Sequence, residues 1–460
     1  ALDQLLHQAE QREARHRQHE VYDDTHLSPF TVHGHDHDHD HARSPAGRHR
    51  PPLTVSLRPN GSPLRASHTA WSNEPVSAFG AVADLLDEAR SETGLDDFGA
   101  DTFREGLEIL VAALRDEARL NAVGERAMRR QVVGHLSQRL QVEDWYRRHP
   151  EIADEALEPA LIGLGLPRTG STALSVLLGH DPEVRSLRWF ESNQPCPPPS
   201  TVRGPDPRIA RMERSLALQD KFMPRIKHLV PVTATAPGEC LDLMALDFKS
   251  QAFEAYARIP SYSSWLLYGA DLSTAYAYHR RVLRLLQWGT PARPWRLKAP
   301  AHMVGIAALA NAFPDARFVM THRDIVEVIP SIADLYSELA NPFTDELDRH
   351  YLGELNVETW SVGMTRTLDF RADNEDRFYD IDFRQMQSEP IETVRSLYAW
   401  LGAEVSAEFE AGMRRWWQTS AVNREQIDRP GPEAFGIDVD ALESLFARYT
   451  QRFSTAERDR

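Results

Sequence analysis

Apolar residues recur at helical spacing through residues 78–158. Intervals of three and four residues between successive apolar side chains predict three amphipathic helices. Their apolar positions are Phe79, Val82, Leu85, Leu86 and Ala89; Phe103, Leu107, Leu110, Val111 and Leu114; and Met128, Val132, Leu136, Leu140 and Trp145. The last helix is expected to end at His149, because a residue that precedes proline disfavours helical backbone angles. Residues 78–158 are therefore predicted to form a helical unit.

The pattern changes after Pro159. The run 160–164 is short, apolar and bounded by glycine, which predicts a buried strand. Further strands are predicted at 295–298, 317–321 and 377–381. Helices are predicted at 171–179, 209–222, 272–288, 304–313, 325–337, 391–401 and 439–453. Strands separated by helices indicate an α/β fold with a parallel sheet and helices on both faces, which we assign to residues 159–460.

Residues 1–77 are predicted to form a largely disordered, His-rich extension. They contain too few large apolar side chains to offset the entropy lost on ordering the chain. Histidines alternate mainly with aspartates from His33 to His41. Such a tract is most often a solvated, pH-sensitive segment, and the alternative is adventitious binding of Zn²⁺ or Ni²⁺.

Composition excludes several classes of protein. With 52 Lys and Arg against 68 Asp and Glu, the net charge is -16, which argues against a duplex-DNA-binding protein. The cysteines Cys196 and Cys240 cannot form a disulfide framework and lie in no motif of metal-site spacing. The apolar runs are too short for a transmembrane helix. We therefore expect a soluble, cytoplasmic protein with no nucleic-acid partner and no transmembrane segment.

A glycine-rich segment lies between the first predicted strand and its helix, where backbone N–H groups and the helix dipole favour an anion. Gly165 and Gly170 have the spacing of a Walker A loop, but Ser171 stands where that motif requires lysine. The cation of the loop is Arg168. The segment predicts phosphate binding without ATP hydrolysis, and the alternative is a turn that only joins strand to helix.

A second candidate phosphate site follows the strand predicted at 317–321. Arg323 comes directly after this strand, at the edge of the sheet where α/β proteins bind ligands. Ser331 is eight residues further on, two helical turns along the next helix. A guanidinium group and a hydroxyl group together suit a phosphate monoester.

These segments resemble the sulfotransferases that use 3′-phosphoadenosine 5′-phosphosulfate (PAPS), particularly a bacterial branch with a helical N-terminal region. The resemblance covers roughly residues 78–453 and implies a P-loop-kinase-like fold, PAPS as co-substrate and sulfuryl transfer to a hydroxyl or amine. No metal is expected to be required, because the donor is already activated and Arg168, Lys298 and the loop amides can meet the charge released on transfer. The resemblance assigns Arg323 and Ser331 to the 3′-phosphate. It assigns to the 5′-phosphosulfate the residues Pro167, Arg168, Thr169, Gly170, Ser171 and Thr172.

The chain departs from the family pattern at several positions. Arg168 replaces a lysine of the cytosolic relatives, and Ala173 stands where they carry a tryptophan that stacks on adenine. Phe383 occupies the position of a tyrosine that contacts adenine, and Tyr379 is close by in sequence. We find no clear copy of a C-terminal Arg-Lys-Gly loop, for which Arg424 and Arg429 are the candidate substitutes.

Sulfuryl transfer needs a base for the proton of the acceptor and cations for the charge on the leaving group. Glu191 is the first candidate base, because related branches place a glutamate soon after the loop helix. The other candidates are His228, oriented by Glu239, and His302. Lys298, at the end of a predicted strand, is expected to polarise the leaving phosphosulfate.

The sequence leaves several alternatives open. A P-loop-type nucleotide kinase or NTPase is disfavoured because the Walker lysine is missing and Arg323 follows a strand where an aspartate that binds Mg²⁺ would be expected. The chain could also be a non-catalytic relative that binds adenosine bisphosphate. The acceptor is left open among small molecules, lipids and glycans, and no oligomeric state is predicted.

Overall fold

The computed structural model describes residues 79–230, 232–422 and 429–453. The predicted extension 1–77, with its histidine tract, lies outside these residues, as does Arg424. In the part of the chain that is described, no helix is both long and apolar enough to cross a membrane.

The described residues form one parallel sheet of five strands in the order β2-β3-β1-β4-β5. The strands are β1 (Leu161–Leu164), β2 (Arg185–Ser186), β3 (Trp295–Lys298), β4 (Arg317–His322) and β5 (Phe378–Asp382). Gly163 of β1 is in register with Lys298 of β3 and with Val319 of β4. The carboxyl ends of these central strands therefore meet at one edge of the sheet.

Helices cover both faces of the sheet, which confirms the predicted α/β fold. Ile162 and Leu164 of β1 pack into one apolar cluster, whereas Leu161 packs into another with helices from the opposite face. This alternation is the two-residue period of a strand buried on both sides.

The helices of the described residues are as follows: α1 (Val82–Thr93), α2 (Arg104–Asp116), α3 (Ala122–Arg148), α4 (Ser171–Leu178), α5 (Trp189–Asn193), α6 (Pro207–Phe222), α7 (Ile226–Leu229), α8 (Leu241–Met244), α9 (Pro260–Tyr268), α10 (Leu272–Gln287), α11 (Ile306–Ala312), α12 (Ile325–Ala340), α13 (Arg349–Arg371), α14 (Phe383–Ser388), α15 (Pro390–Leu401), α16 (Ala407–Val422), α17 (Val439–Leu445) and α18 (Ala447–Phe453). Short 3₁₀ helices span Asp101–Phe103, Pro150–Asp154, Pro199–Thr201, Ala245–Asp247, Gln251–Phe253, Pro300–Met303, Asn341–Phe343, Glu375–Arg377 and Pro432–Phe435.

The N-terminal helices α1–α3 share an apolar core with residues 245–266. Arg139 of α3 is fully buried and donates hydrogen bonds to the carbonyl oxygens of Phe98, Ala100 and Leu246 and to Asp247. A buried guanidinium is tolerated only when its donors are satisfied in this way. The helical unit is therefore joined to the segment 245–266 by polar contacts as well as by apolar packing.

Glu254 is a buried acid within the segment 245–266. Its burial makes the free energy of unfolding depend on pH. Burial raises its pKa to about 7, the charge of Glu358 adds to the shift, and the Ser263 hydroxyl opposes it. A pKa above the unfolded value means that the stabilising contribution is complete below about pH 4.5 and is lost as pH rises through about 7.

We therefore expect Glu254→Gln to become more stable relative to the wild type by about 2–3 kcal/mol between pH 5 and pH 8. Urea unfolding at the two pH values measures this difference. A difference that does not change with pH would show that Glu254 keeps an ordinary pKa.

Candidate active site

The loop between β1 and α4 is held in a conformation that depends on its glycines. Gly165 and Gly170 have φ angles of +117° and +89°, and Arg168 between them has +64°. The backbone angle of Gly170 favours glycine, and a Cβ atom there would lie 2.3 Å from Met386 Cε, so the Met386 side chain would have to move. The loop leads into the first turn of α4, where the backbone N–H groups favour an anion.

Thr169 fixes this loop to the end of β4. Its buried hydroxyl donates a hydrogen bond to the carbonyl oxygen of Leu166 at 2.7 Å and forms a second one, of 2.6 Å, with the Thr321 hydroxyl. The predicted loop and the second predicted phosphate site are thereby brought together.

Guanidinium groups gather around Ser331 on α12. Arg168 Nε donates to Ser331 Oγ at 3.2 Å, and Arg429 does so at 2.8 Å. Arg323 donates to the carbonyl oxygen of Arg168 at 3.3 Å. Burial and the positive charges of Arg429 and Arg323 lower the pKa of Arg168 to about 10. Because cations held together repel one another, this cluster favours an anion.

Arg323 is positioned through its backbone and its side chain. Its N–H donates to the hydroxyl of Tyr449 on α18 at 3.2 Å, and that hydroxyl donates to the Arg323 carbonyl oxygen at 3.1 Å. The guanidinium lies 4.5 Å from the ring centroid of Phe383 and forms an ion pair with Glu327. Phe383 therefore lies beside the arginine cluster, whereas the ring of Tyr379 packs against Trp400.

Lys298 lies at the foot of the loop. Its side chain is 5% exposed, and its ammonium group donates to Thr172 Oγ1 at 3.4 Å and forms an ion pair with Glu239. The Glu239 side chain is 25% exposed, so it is the solvent-facing partner of the pair. The sequence analysis placed Glu239 beside His228 and missed its contact with Lys298.

His228 lies close to the loop along the chain. It is half-buried on α7, and the carbonyl oxygen of the next residue, Leu229, accepts a hydrogen bond of 2.7 Å from Arg168. The short helix α7 therefore borders the loop.

Glu191 lies beside the edge strand β2. One carboxylate oxygen accepts from Arg185 at 2.9 Å, and the other accepts from the backbone N–H of Arg188 at 3.1 Å. The side chain is buried at the start of α5. In the sheet, strand β3 lies between β2 and the strand β1 that leads into the loop.

His302 is fully buried in the 3₁₀ helix that follows β3. Its Nδ1 atom forms a hydrogen bond of 3.1 Å with the Tyr276 hydroxyl, and the ring of His279 lies 6.3 Å away. Burial holds the pKa of His302 well below its usual range, and the neighbouring His279 and Lys298 lower it further. The structure thus places His302 in the core, where solvent does not reach its ring.

Comparison with known proteins agrees with this geometry. A profile of the sulfotransferase family matches residues 159–407, slightly more than half of the chain. The crystal structure of sulfotransferase STF9 from Mycobacterium avium has 30% sequence identity and a TM-score of 0.76, and the match covers 85% of this chain and all of that one.

Sulfotransferase STF1 from Mycobacterium tuberculosis H37Rv has 28% identity and a TM-score of 0.68, over 81% of this chain and all of that one. A search of curated proteins found no match. The family profile, with an extensive structural match at 30% identity, establishes that the chain belongs to the sulfotransferase family.

Proposed function

We propose that the protein transfers the sulfuryl group of PAPS to a hydroxyl or amine of an acceptor. The observation that carries this proposal is the arginine cluster around Ser331 next to a glycine-dependent loop at a helix N-terminus. Two anion sites of different chemistry lie side by side, as a nucleotide with phosphates on both its 3′ and 5′ positions requires. The positive excess at Arg168 fits such a donor.

In this proposal the loop binds one end of PAPS and the arginine cluster binds its 3′-phosphate. The N–H groups of residues 168–172 and the Thr172 hydroxyl bind the 5′-phosphosulfate, as predicted from Pro167-Arg168-Thr169-Gly170-Ser171-Thr172. Arg323, Ser331 and Arg429 bind the 3′-phosphate by charge-assisted hydrogen bonds. Phe383, already in contact with Arg323, borders the adenine. Tyr379 is less well placed than Phe383 to contact adenine, because its ring packs against Trp400.

In our proposal Lys298 stabilises the leaving group and Glu239 accepts the proton of the acceptor. PAPS supplies a sulfuryl group already activated by its phosphosulfate anhydride. Lys298 exchanges its contact with Glu239 for the donor and neutralises the charge that appears on the phosphate as the sulfur–oxygen bond breaks. The released Glu239 carboxylate takes the proton of the acceptor as the new bond to sulfur forms.

The other candidate bases are less well placed for this step. Glu191 is held by Arg185 and by the N-terminus of α5, and His302 is enclosed in the core. His228 borders the loop and is the direct competitor of Glu239. We propose no role for a metal, because Arg168, Lys298 and the loop amides meet the charge that a metal would otherwise neutralise.

Nucleotide selectivity tests the proposal. We expect adenosine 3′,5′-bisphosphate to raise the thermal unfolding midpoint and ATP with Mg²⁺ to raise it far less, because the bisphosphate engages both anion sites. Differential scanning fluorimetry over a range of ligand concentrations measures this. Equal stabilisation by ATP with Mg²⁺ would favour a nucleotide kinase instead.

The contribution of the second anion site is testable by substitution. Arg323→Ala is expected to weaken bisphosphate binding by about 2–4 kcal/mol, and Ser331→Ala by about 1 kcal/mol, because a charged partner is lost in the first case and a neutral one in the second. Isothermal titration calorimetry measures both, with Arg214→Ala on the exposed face of α6 as the control. Unchanged affinity in Arg323→Ala would remove this residue from the donor site.

A further inference from the structure

Glu254 is a buried acid that the described residues leave without a counter-ion. It is 3% exposed, and no group of the described residues donates a hydrogen bond to its carboxylate. The Ser263 hydroxyl is close enough to favour its charge, but it donates its hydrogen bond to the carbonyl oxygen of Ile259, at 3.1 Å. The charged group among the described residues that influences Glu254 is Glu358, another acid. A buried charge is unfavourable unless it is paired, so Glu254 indicates a cationic partner that the described chain does not supply.

The Glu254 carboxylate and two tyrosine hydroxyls are open to solvent. Neither carboxylate oxygen is among the fully enclosed atoms that lack a hydrogen-bond partner, so both keep some contact with solvent. The hydroxyl oxygens of the half-buried Tyr256 and Tyr336 also have no hydrogen-bond partner within the described residues, and solvent reaches them in the same way. Tyr256 packs against the apolar core of the helical unit and Tyr336 against the main core of the sheet. The two rings therefore lie where these cores meet.

Tyr336 connects Glu254 to the active site. Burial raises the pKa of Tyr336 well above its usual range, and the charges of Glu254 and Glu239 raise it further, so its hydroxyl lies near both acids. Tyr256 contributes to the same shift and therefore lies beside Tyr336. Glu239 is held next to Lys298, because the N–H of the residue after Glu239 donates to the Lys298 carbonyl oxygen at 3.1 Å. One group of neighbouring side chains thus extends from the Lys298–Glu239 pair to Glu254.

We propose that the acceptor is a hydroxylated amine, whose ammonium group binds to Glu254 while its hydroxyl lies at Glu239 and Lys298. This inference rests on the proposed function, in which Glu239 takes the proton of the acceptor. The rings of Tyr256 and Tyr336 suit an ammonium group, because the face of an aromatic ring attracts a cation. On transfer, the hydroxyl oxygen forms a bond to sulfur, the bond between sulfur and the leaving phosphate oxygen breaks, and the hydroxyl proton moves to Glu239. The ammonium group keeps its protons and positions the acceptor.

Three alcohols of similar shape test the proposal: p-(aminomethyl)benzyl alcohol, p-ethylbenzyl alcohol and p-(hydroxymethyl)benzoate, which carry a positive, a neutral and a negative group opposite the hydroxyl. Titration calorimetry, with and without adenosine 3′,5′-bisphosphate, measures their binding at pH 8, where Glu254 is mostly ionised because burial raises its pKa only to about 7. We expect the ammonium compound to bind at least about 10-fold more tightly than the neutral one, and the carboxylate to bind least. Glu254→Gln should remove this preference and leave the affinity for the neutral alcohol within about 2-fold.

Glu108→Gln, at an exposed position on α2, is the matched control and should leave all three affinities unchanged. Binding of the neutral alcohol shows that the site of Glu254→Gln remains folded. Equal binding of the three alcohols to the wild type, failure of the ammonium compound to bind, or a preference that survives Glu254→Gln would overturn the proposal. Binding requires no transfer, so charge-selective binding without a sulfated product from PAPS would count against the proposed transfer and not against the ammonium site.

Discussion

Lys298→Met is expected to lower turnover roughly 10²–10³-fold, because it removes the cation that meets charge developing on the leaving phosphate. The folded structure should survive, since methionine fills much of the same volume and the Glu239 carboxylate that it leaves is partly exposed. Steady-state kinetics with PAPS and a sulfated-product assay measure the loss. Lys221→Met, at an exposed position on α6, is the control.

A matched set of variants assigns the base. Glu239→Gln and Glu191→Gln each keep size and hydrogen bonding but remove basicity, and His228→Asn does the same for the imidazole. We expect the largest loss of turnover in Glu239→Gln, with unchanged bisphosphate affinity. A Glu191→Gln enzyme that is inactive yet folds and binds nucleotide normally would return the role to Glu191, the residue that the sequence analysis placed first.

Arg371→Met is expected to destabilise the protein by about 1–3 kcal/mol, because it removes charge-assisted hydrogen bonds from a buried guanidinium to Asp380 and Glu375, whose carboxylates are partly exposed to solvent. Arg371 is fully buried on α13 and donates to both Asp380 oxygens at 2.8 Å and to Glu375 at 2.7 Å. Burial alone would raise the pKa of Asp380, but hydrogen bonds from Arg371 and His322 outweigh it and hold this pKa far below its usual range.

Urea unfolding at pH 7 measures the loss of stability in Arg371→Met. The double variant Arg371→Met/Asp380→Asn should recover part of it, because the uncompensated charge is removed together with its partner. Since the pKa of Asp380 is lowered, its contribution is present above about pH 4 and is lost only in stronger acid. A single variant as stable as the wild type would mean that water replaces the hydrogen bonds of Arg371 at Asp380 without loss of stability.

Local patterns predicted the central parts of this structure. Strands β1, β3, β4 and β5 were predicted from the sequence, and the glycine-rich loop and Arg323 come directly after β1 and β4 in the chain. Strand β2 was not predicted, because two residues are too few to show a period. The expected helix 439–453 is divided into α17 and α18 at Phe446.

Helix α13 shows why a long element can escape detection. Its buried positions recur with helical spacing, but several are small or polar, including Gly353, Asn356, Thr359 and Gly363. Gly353 allows close approach of the backbone of Phe435, to which a Cβ atom would be only 2.1 Å distant. A face that buries glycine and satisfied polar groups carries little hydrophobic signal.

Contacts between distant segments were also beyond the reach of local patterns. Lys298 and Glu239 are 59 residues apart, and Arg429 and Ser331 are 98 apart. These residues meet because distant elements pack together, and no local sequence pattern indicates which elements will pack together. The sequence supplied Arg429 only as one of two candidates, and the structure places it on Ser331.

The contact of Tyr449 with the backbone of Arg323 can form only late in protein synthesis, after the strands and the phosphate loop have been made. All five strands and the phosphate loop precede α18 in the chain, and chains emerge from the ribosome N-terminus first at roughly 5–20 residues per second. A nascent chain can therefore assemble its sheet before it has the residue that secures Arg323. Translation that stops before Tyr449 would leave a chain with its sheet and loop but without the hydrogen bonds that hold the backbone of Arg323.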